Sequence, residues 1–337
     1  MDARQTRRIL VTGAGGFIGH HLVTALKRQG HWVRGVDLKR PDYTTTDADE
    51  FELLDLRRWP DCLEATRGVD DVYALAADMG GMGYISQHHA TILHNNVLIN
   101  THTLEAAHRN GVDRYLYTSS ACVYPEYRQT EADIQPLREE EAYPAAPQDA
   151  YGWEKLISER LCHHYHEDYG TDVRVVRFHN IFGPLGTWDG GREKAPAALC
   201  RKIAMAKLTG QHEIEIWGDG EQTRSFCYID DCVEGLMRLM ESGHVEPLNL
   251  GQDRMITING LADIIAACAG VEIETRHVPG PVGVRGRNSD NTRLREVLGW
   301  EPRISLEDGL ARTYAWIEAQ VAESLKTRQA PALIGAA

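Results

Sequence analysis

The chain has 337 residues, of which 42% are apolar and 25% charged, and carries a formal net charge of −13. That length accommodates one large α/β unit or two domains, with a core that needs no disulfide or metal to hold it. The acidic balance argues against non-specific binding to nucleic acid or to an anionic membrane.

No apolar run reaches membrane-spanning length, and Met1 to Thr6 lack an apolar signal core, so a cytoplasmic protein is expected. The seven cysteines are scattered without a Cys-x-x-Cys pair, which predicts reduced thiols.

Short β-branched runs alternate with helical patterns. Ile9-Leu10-Val11 precedes a glycine turn and a helix over 17–29. Strands are predicted at 32–36, 51–54 and 72–76, then a helix over 90–109 and a strand at 115–118. Residues 44–50 and 129–150 read as loops, the second leading into a helix over 151–166. A sixth strand is predicted at 173–178. This alternation predicts a parallel sheet covered by helices on both faces. From Ile181 the pieces become shorter and mixed. Residues 6–180 are therefore expected to form the first domain, with 226–250 returning to it. Residues 181–225 and 251–325 are expected to form a smaller mixed α/β substrate-binding lobe. Residues 326–337 read as a mobile tail.

Gly13-Ala14-Gly15-Gly16-Phe17-Ile18-Gly19 follows a strand and opens a helix. Glycines there permit a tight turn, and unpaired N–H groups at the helix start suit a pyrophosphate. This context predicts a Rossmann-type, doubly wound sheet. Asp37 ends strand two, where a carboxylate bonds the ribose hydroxyls of adenosine and repels a 2′-phosphate, which favours NAD. Arg34, Lys39 and Arg40 keep NADP open. Asp55 and Leu56, after strand three, are placed to frame the adenine.

Ser119 and Ser120 end strand five, and Tyr151 and Lys155 open the helix after the long loop. A spacing of four puts tyrosine and lysine on one helical face. An ammonium beside a phenol favours the phenolate, so Tyr151 is expected to take a proton from a hydroxyl near neutral pH. Such chemistry oxidises a sugar alcohol while a nicotinamide takes the hydride. Cys122 lies two residues beyond Ser120 and is expected to point into the same site, where a thiol of tuned acidity moves a carbon-bound proton. Its alternative is a small buried hydrophobe.

Together the glycine turn, the serine pair and Tyr-x-x-x-Lys resemble the extended short-chain dehydrogenase/reductase family over nearly the whole chain. The stretches 76–83, 119–126, 177–196 and 284–291 narrow the resemblance to members that epimerise a GDP-hexose at C3 and C5. By that resemblance NAD oxidises C4, the ketone acidifies C5 and C3, and the hydride then returns, converting GDP-D-mannose to GDP-L-galactose. It implies Tyr151 as the C4 base supported by Lys155 and Ser120, and Cys122 with Lys194 as the epimerising pair. The related 4,6-dehydratases carry Asp-Glu where this chain has Ala121-Cys122. The resemblance also implies Ala76 at the cofactor, and Gly80, Asn180, Glu193 and Gln222 at the substrate. Lys194 and Lys202 fall on a similar face of one predicted helix, and lysines there alternatively bind phosphate only. Arg287, or else Arg285, suits the diphosphate. Pairing of the long helices at 90–109 and 151–169 into a homodimer is implied as well. A 4-epimerase, a 4,6-dehydratase and a catalytically silent NAD sensor are the competing readings.

His163-His164-Tyr165-His166 and His88-His89 lack a carboxylate at metal spacing and are expected to be exposed clusters. Cys227 and Cys232 are expected in the core, and no metal is expected.

Overall fold

Residues 6–329 are described in the computed structural model of the chain. The first part runs β1 (Arg8–Thr12), α1 (Phe17–Arg28), β2 (Trp32–Asp37), β3 (Glu50–Leu53), α2 (Trp59–Ala65), β4 (Asp71–Ala74), α3 (Met82–Ile85), α4 (His89–Arg109), β5 (Arg114–Ser120), α5 (Ala150–Tyr169) and β6 (Asp172–Phe178). The second part runs β7 (Ile181–Phe182), α6 (Ala195–Thr209), β8 (Glu213–Trp217), β9 (Thr223–Ser225), β10 (Cys227–Tyr228), α7 (Ile229–Glu241), β11 (Pro247–Leu250), β12 (Met255–Thr257), α8 (Ile258–Ala269), β13 (Glu274–Val278), β14 (Gly286–Arg287), α9 (Thr292–Leu298) and α10 (Leu306–Gln329).

Seven strands form one sheet in the order β3-β2-β1-β4-β5-β6-β11, every neighbouring pair parallel. Its strands are covered on both faces, which is why they read as near-continuous apolar runs such as Ile9-Leu10-Val11. One face is covered by α1 and α7, whose apolar cluster continues into α6, α8 and α10, and the other by α2, α4 and α5. Helix α7 shows how sequence dictates this layer. Ile229, Cys232, Val233, Leu236, Leu239 and Met240 recur at helical spacing and are all buried. Beyond the sheet, β9 lies between β12 and β14, β8 pairs with β13, and β7 pairs with β10.

Three differences from the sequence reading have local causes. Strand β5 runs on to Ser120 because Ser119 and Ser120 pair with Arg177 and Phe178 of β6. Helices α2 and α3, of seven and four residues, are too short to show a period. Residues 326–329, expected in a mobile tail, continue α10, and 330–337 lie outside the described residues.

Helix α5 is the element that builds the site. Asp149 caps it, accepting the Gly152 N–H at 2.8 Å, and Gly170 ends it in a left-handed turn at φ 69°. A Cβ at Gly152 would lie 2.2 Å from the Cys122 carbonyl oxygen. Only glycine lets the helix approach the turn after β5 this closely, and that approach sets Tyr151 beside Ser120 and Cys122.

Candidate active site

The glycine turn after β1 is shaped for a close-lying ligand. Gly13 has φ 69°, and a Cβ there would sit 2.9 Å from Ala76 N. At Gly15 a Cβ would stand 2.1 Å from Lys39 O, and at Gly19 2.2 Å from Gly13 O. Gly16 caps α1 without a side-chain hydrogen bond, so the N–H groups of Phe17, Ile18 and Gly19 face the turn unblocked. Ala76 N–H is held by Thr12 Oγ1 at 3.0 Å. Asp37 ends β2, accepting Gly15 N–H at 3.0 Å and Lys39 N–H at 3.2 Å. Burial pushes its carboxyl above the ordinary range, and these backbone bonds pull it back. Arg34 is tied to Glu50 and Glu52, Lys39 to Asp42, and Arg40 lies over Phe51, so the cations of this region are engaged elsewhere. A crevice lined by Phe17, His20, Lys39, Tyr43, Leu185 and Thr187 continues from the turn. These residues fit an adenine dinucleotide with free ribose hydroxyls. Asp55 is bonded by Arg57 at 2.6 Å, and Leu56 is buried in the core.

Ser120, Tyr151 and Lys155 come together at the ends of β5 and α5. The Ser120 hydroxyl bonds the Tyr151 phenol, and also accepts Cys122 N–H at 3.2 Å. Lys155 is 2% exposed. Its Nζ donates to Thr118 O at 3.0 Å and lies 5.5 Å from the centre of the Tyr151 ring. The neighbouring Glu154 carboxylate, 3.8 Å from Lys155, is held by Asn96 and Asn100 at 2.9 and 3.0 Å. This corrects the expectation for Tyr151. Burial, then the Glu154 charge, hold its phenol well above the ordinary tyrosine range, with only the Ser120 bond pulling down. The lysine alone does not yield a phenolate, because its ammonium is spent on the Thr118 carbonyl and on Glu154.

Cys122 sits on a single turn of 3-10 helix, Ala121–Val123, half-buried against the small apolar cluster of Ile85, Ile92 and Tyr151. Lys194 caps α6 and lies close enough for its charge to interact with the sulfur. Desolvation pushes its ammonium below the ordinary lysine range, and Cys122 acts in the other direction. The side chain still presents exposed surface to the cleft, so water limits that push until a ligand fills the space. The loop carrying Lys194 is pinned from across the cleft. Gly81 N–H donates to Arg192 O at 3.0 Å, a Cβ at Gly81 would meet Glu193 O at 2.4 Å, and Arg192 stacks 3.8 Å over Tyr84.

The remaining predicted residues divide. Gln222 is buried with its Oε1 unpartnered, an acceptor that points to a ligand donor. Asn180 has φ 46° and donates to Ser225 O at 2.8 Å. Gly80 lies against Tyr84, where a Cβ would come within 2.9 Å. Lys202 is fixed on Glu215 O at 2.6 Å. Glu193 and the two candidate arginines are each fixed by polar contacts. The Glu193 carboxylate accepts from Gly191 N at 2.7 Å and Arg201 at 2.9 Å, which staples its own loop. Arg285 forms an exposed pair with Asp219 at 2.8 Å, while Arg287 is buried with its Nη1 3.3 Å from Cys122 Sγ. Two site residues escaped the sequence reading. Gln129 holds Arg287, and Arg224 stands beside Arg287. Position 224 follows Gln222 by two, the one local signal available. Glu167 supplies a carboxylate to His163 and His164 at 3.1 and 2.7 Å, contrary to expectation, yet among the described residues no cluster of three or more His, Cys, Asp or Glu could hold a metal.

A dinucleotide turn on a parallel sheet, with a Ser, Tyr and Lys set at the strand ends, defines a Rossmann-type oxidoreductase-like enzyme. The model of the NAD dependent epimerase/dehydratase family matches residues 9–251, and the chain belongs to that family. It is 53% identical over 323 residues to GDP-mannose 3,5-epimerase 1 of Oryza sativa subsp. japonica, covering 95% of this chain and 84% of that protein. With GDP-mannose 3,5-epimerase of Arabidopsis thaliana it shares 51% over 316 residues, 93% of this chain and 83% of the relative. Among solved structures it is similar to UDP-glucose 4-epimerase of Thermotoga maritima with UDP-glucose, at a TM-score of 0.82, 27% identity, and coverage of 93% and 99%.

Proposed function

We propose that the chain is a GDP-mannose 3,5-epimerase, converting GDP-D-mannose to GDP-L-galactose. The reading is carried by two proton-transfer sets meeting at one cleft, in a chain 53% identical to the rice enzyme of that name. Tyr151 takes the proton of the C4 hydroxyl as that carbon is oxidised, with Ser120 and Lys155 holding the geometry. NAD, held at the Gly13 to Gly19 turn and Asp37, supplies the hydride acceptor and a positive charge when bound. A ketone at C4 acidifies the hydrogens on C5 and C3, since the carbanion left behind is delocalised into the carbonyl. Cys122 and Lys194 then remove a proton from one ring face and return one to the other. Tyr151 gives its proton back as C4 is reduced, so the reaction is redox-neutral overall. GDP-L-gulose is the side product if C3 inversion fails. Asn180, Lys202 and Gln222 line the substrate's side of the cleft.

Incubation with GDP-mannose in deuterium oxide, read by NMR, is the test. Deuterium at C5 and C3 with a galacto product is expected. A sugar nucleotide that emerges unlabelled and unconverted sinks the reading.

A homodimer follows from the same family logic. Trp153 and Ile157 on α5 are 41% and 53% exposed, one turn apart, and Leu93 on the neighbouring α4 is 37% exposed. Light scattering at micromolar concentration is expected to give twice the chain mass. Among the described residues no helix is long and apolar enough to cross a membrane. A cytoplasmic setting, where the free cysteines stay reduced, is part of the proposal.

A further inference from the structure

The loop that carries Lys194 is tied down on both sides of the cleft, with a glycine pair between the ties. On its own side, Arg201 of α6 donates to Trp188 O at 3.1 Å and to Glu193 at 2.9 Å. Gly190 and Gly191 have φ 93° and 86°, and among the described residues no atom would meet a Cβ at either within 4 Å. That pair leaves the backbone room to turn. Arg192 supplies the tie across the cleft. Its guanidinium carbon lies 3.8 Å over the Tyr84 ring, and its Nη1 stands 3.6 Å from Asp78 Oδ1. Its carbonyl accepts Gly81 N–H at 3.0 Å. The receiving surface is braced from below. Tyr84 Oη donates to Asp78 Oδ1 at 3.0 Å, and its ring stacks on His88 at 4.3 Å and 19°. Asp78 Oδ2 accepts from Asn95 at 2.9 Å, and the Asp78 N–H donates to Asn96 Oδ1 at 2.6 Å. Asn96, fully buried, also donates to Glu154 beside Lys155. Arg192 is therefore seated on a surface held by α4 and α5.

We propose that Arg192 is a positioning residue: seated on Tyr84 and Asp78, it holds the 188–194 loop against the sheet side, so that Lys194 at the start of α6 keeps its place in the cleft. The task of Lys194 there rests on the epimerase reading; the seat itself does not. Of the side-chain contacts, the stack on Tyr84 carries more than the ion pair. Arg192 is half exposed, and a pair at 3.6 Å in that setting is screened by water. A guanidinium over an aromatic face adds the attraction of the ring quadrupole. The bond from Gly81 N–H is made to the backbone and survives a change of side chain, so substitution loosens the seat without abolishing it. An arginine that only binds phosphate differs, because it strengthens substrate binding and leaves the loop unaffected.

The test is amide hydrogen–deuterium exchange of the 188–194 loop, read by mass spectrometry in the NAD-loaded full chain without sugar nucleotide. Peptides from α5 report any general loosening. In Arg192→Ala the loop amides are expected to exchange about tenfold faster, with α5 unchanged. Tyr84→Ala is expected to match it, and the double variant to be little faster than either single one, since both remove one contact. Tyr84→Phe keeps the ring under the guanidinium and loses the bond to Asp78, so a change below about threefold is expected. Arg192→Lys keeps the charge and loses the plane, and about fivefold is expected there. Unchanged loop amides in Arg192→Ala, or in Arg192→Lys should the alanine variant not fold, overturn the proposal. An effect of Tyr84→Phe as large as that of Tyr84→Ala overturns it too, since the tie is then the hydroxyl and not the ring. With GDP-mannose, the supporting result in Arg192→Ala is deuterium uptake at C5 and C3 slowed about tenfold at saturation, with transient NADH formation within about twofold of the wild type. A raised KM with kcat and loop amides unchanged makes Arg192 a phosphate ligand and overturns the proposal as well. The loop measurement needs no sugar, so its failure is distinguishable from failure of the epimerase reading, which shows as absent uptake at carbon in the wild type.

Discussion

The two sides of the cleft are built differently. On the sheet side, Ser120, Tyr151 and Lys155 stand on a seven-residue strand and a 20-residue helix, and Tyr151 and Lys155 are 6% and 2% exposed. On the lobe side, Lys194 follows a loop with Gly190 and Gly191 at positive φ, Arg224 lies on a three-residue strand and Arg287 on a two-residue strand. Regular elements fix the first set by packing, with hydrogen bonds such as Lys155 to Thr118 O added within them. The second is fixed by ties between loops: Gly81 to Arg192, Arg201 to Glu193, Gln129 to Arg287. Cys122 belongs to the sheet side by chain and to the lobe side by contact. On the proposed function, oxidation at C4 and epimerisation beside it are housed in separable structures, and mutations should separate them.

The largest effect expected from breaking that division is at Tyr151. Tyr151→Phe keeps the packing and removes the proton carrier of the first step, on which everything later depends. NADH appearance in a stopped-flow trace and deuterium uptake should both fall by roughly 1,000-fold, within the range for a lost general base. Carbon exchange persisting without any C4 oxidation would show that the sheet side is not upstream.

Cys122→Ala and Lys194→Ala are the converse. Transient NADH formation should survive, while deuterium exchange at C5 and C3 falls by roughly 100-fold. The double variant should be little worse than the poorer single one, since the two act as a unit. Cys122→Ser sharpens the comparison by keeping size and polarity while losing acidity; exchange at the wild-type rate would reduce Cys122 to a packing residue. Lys194 adds a pH signature. Its ammonium is depressed, so the acid is lost as pH rises through that lowered value, and wild-type exchange should decline on the alkaline side below the ordinary lysine range.

The same division decides what could be read from the sequence. Gly13 to Gly19, Asp37, Ser120, Tyr151 and Lys155 each sit in a local pattern of turn, strand end or helix start, so short windows located them. The lobe side has no such windows. Strands β9 and β14 are too short to show a period, and the contact between Cys122 and Arg287 spans 165 residues of sequence. Gln129 read as the first residue of a loop because its partner lies 158 residues away. The resting state of Tyr151 was equally hidden, since burial and the Glu154 charge are properties of packing that Tyr-x-x-x-Lys does not encode.

A smaller effect is expected at the cofactor turn. Asp37 accepts backbone N–H bonds from Gly15 and Lys39 and ends β2 where ribose hydroxyls would meet it. Asp37→Ala should weaken NAD binding about tenfold, near 1.4 kcal/mol, and narrow its preference over NADP. Calorimetric titration of both cofactors checks this, and equal affinities in the wild type would remove the assignment.

The smallest effect should fall on Arg285, the second choice beside Arg287 in the sequence reading. Arg285 and Arg287 are two residues apart, a spacing that would put both on one face of a continuous strand, but Arg285 lies before the two-residue β14 and the pair is sent apart. Arg287 turns inward to Gln129 and Cys122. Arg285 turns outward to an exposed Asp219, 2.8 Å away. A solvent-screened pair of that kind contributes about 0–1 kcal/mol to stability. Arg285→Ala should therefore leave kcat and KM within about twofold of the wild type and barely move the melting temperature. A KM for GDP-mannose raised tenfold or more in this variant would mean that Arg285 leaves Asp219 to hold the diphosphate. The exposed arginine would then belong to the lobe side of the cleft, and the boundary drawn between the two sides would have to move outward to include it.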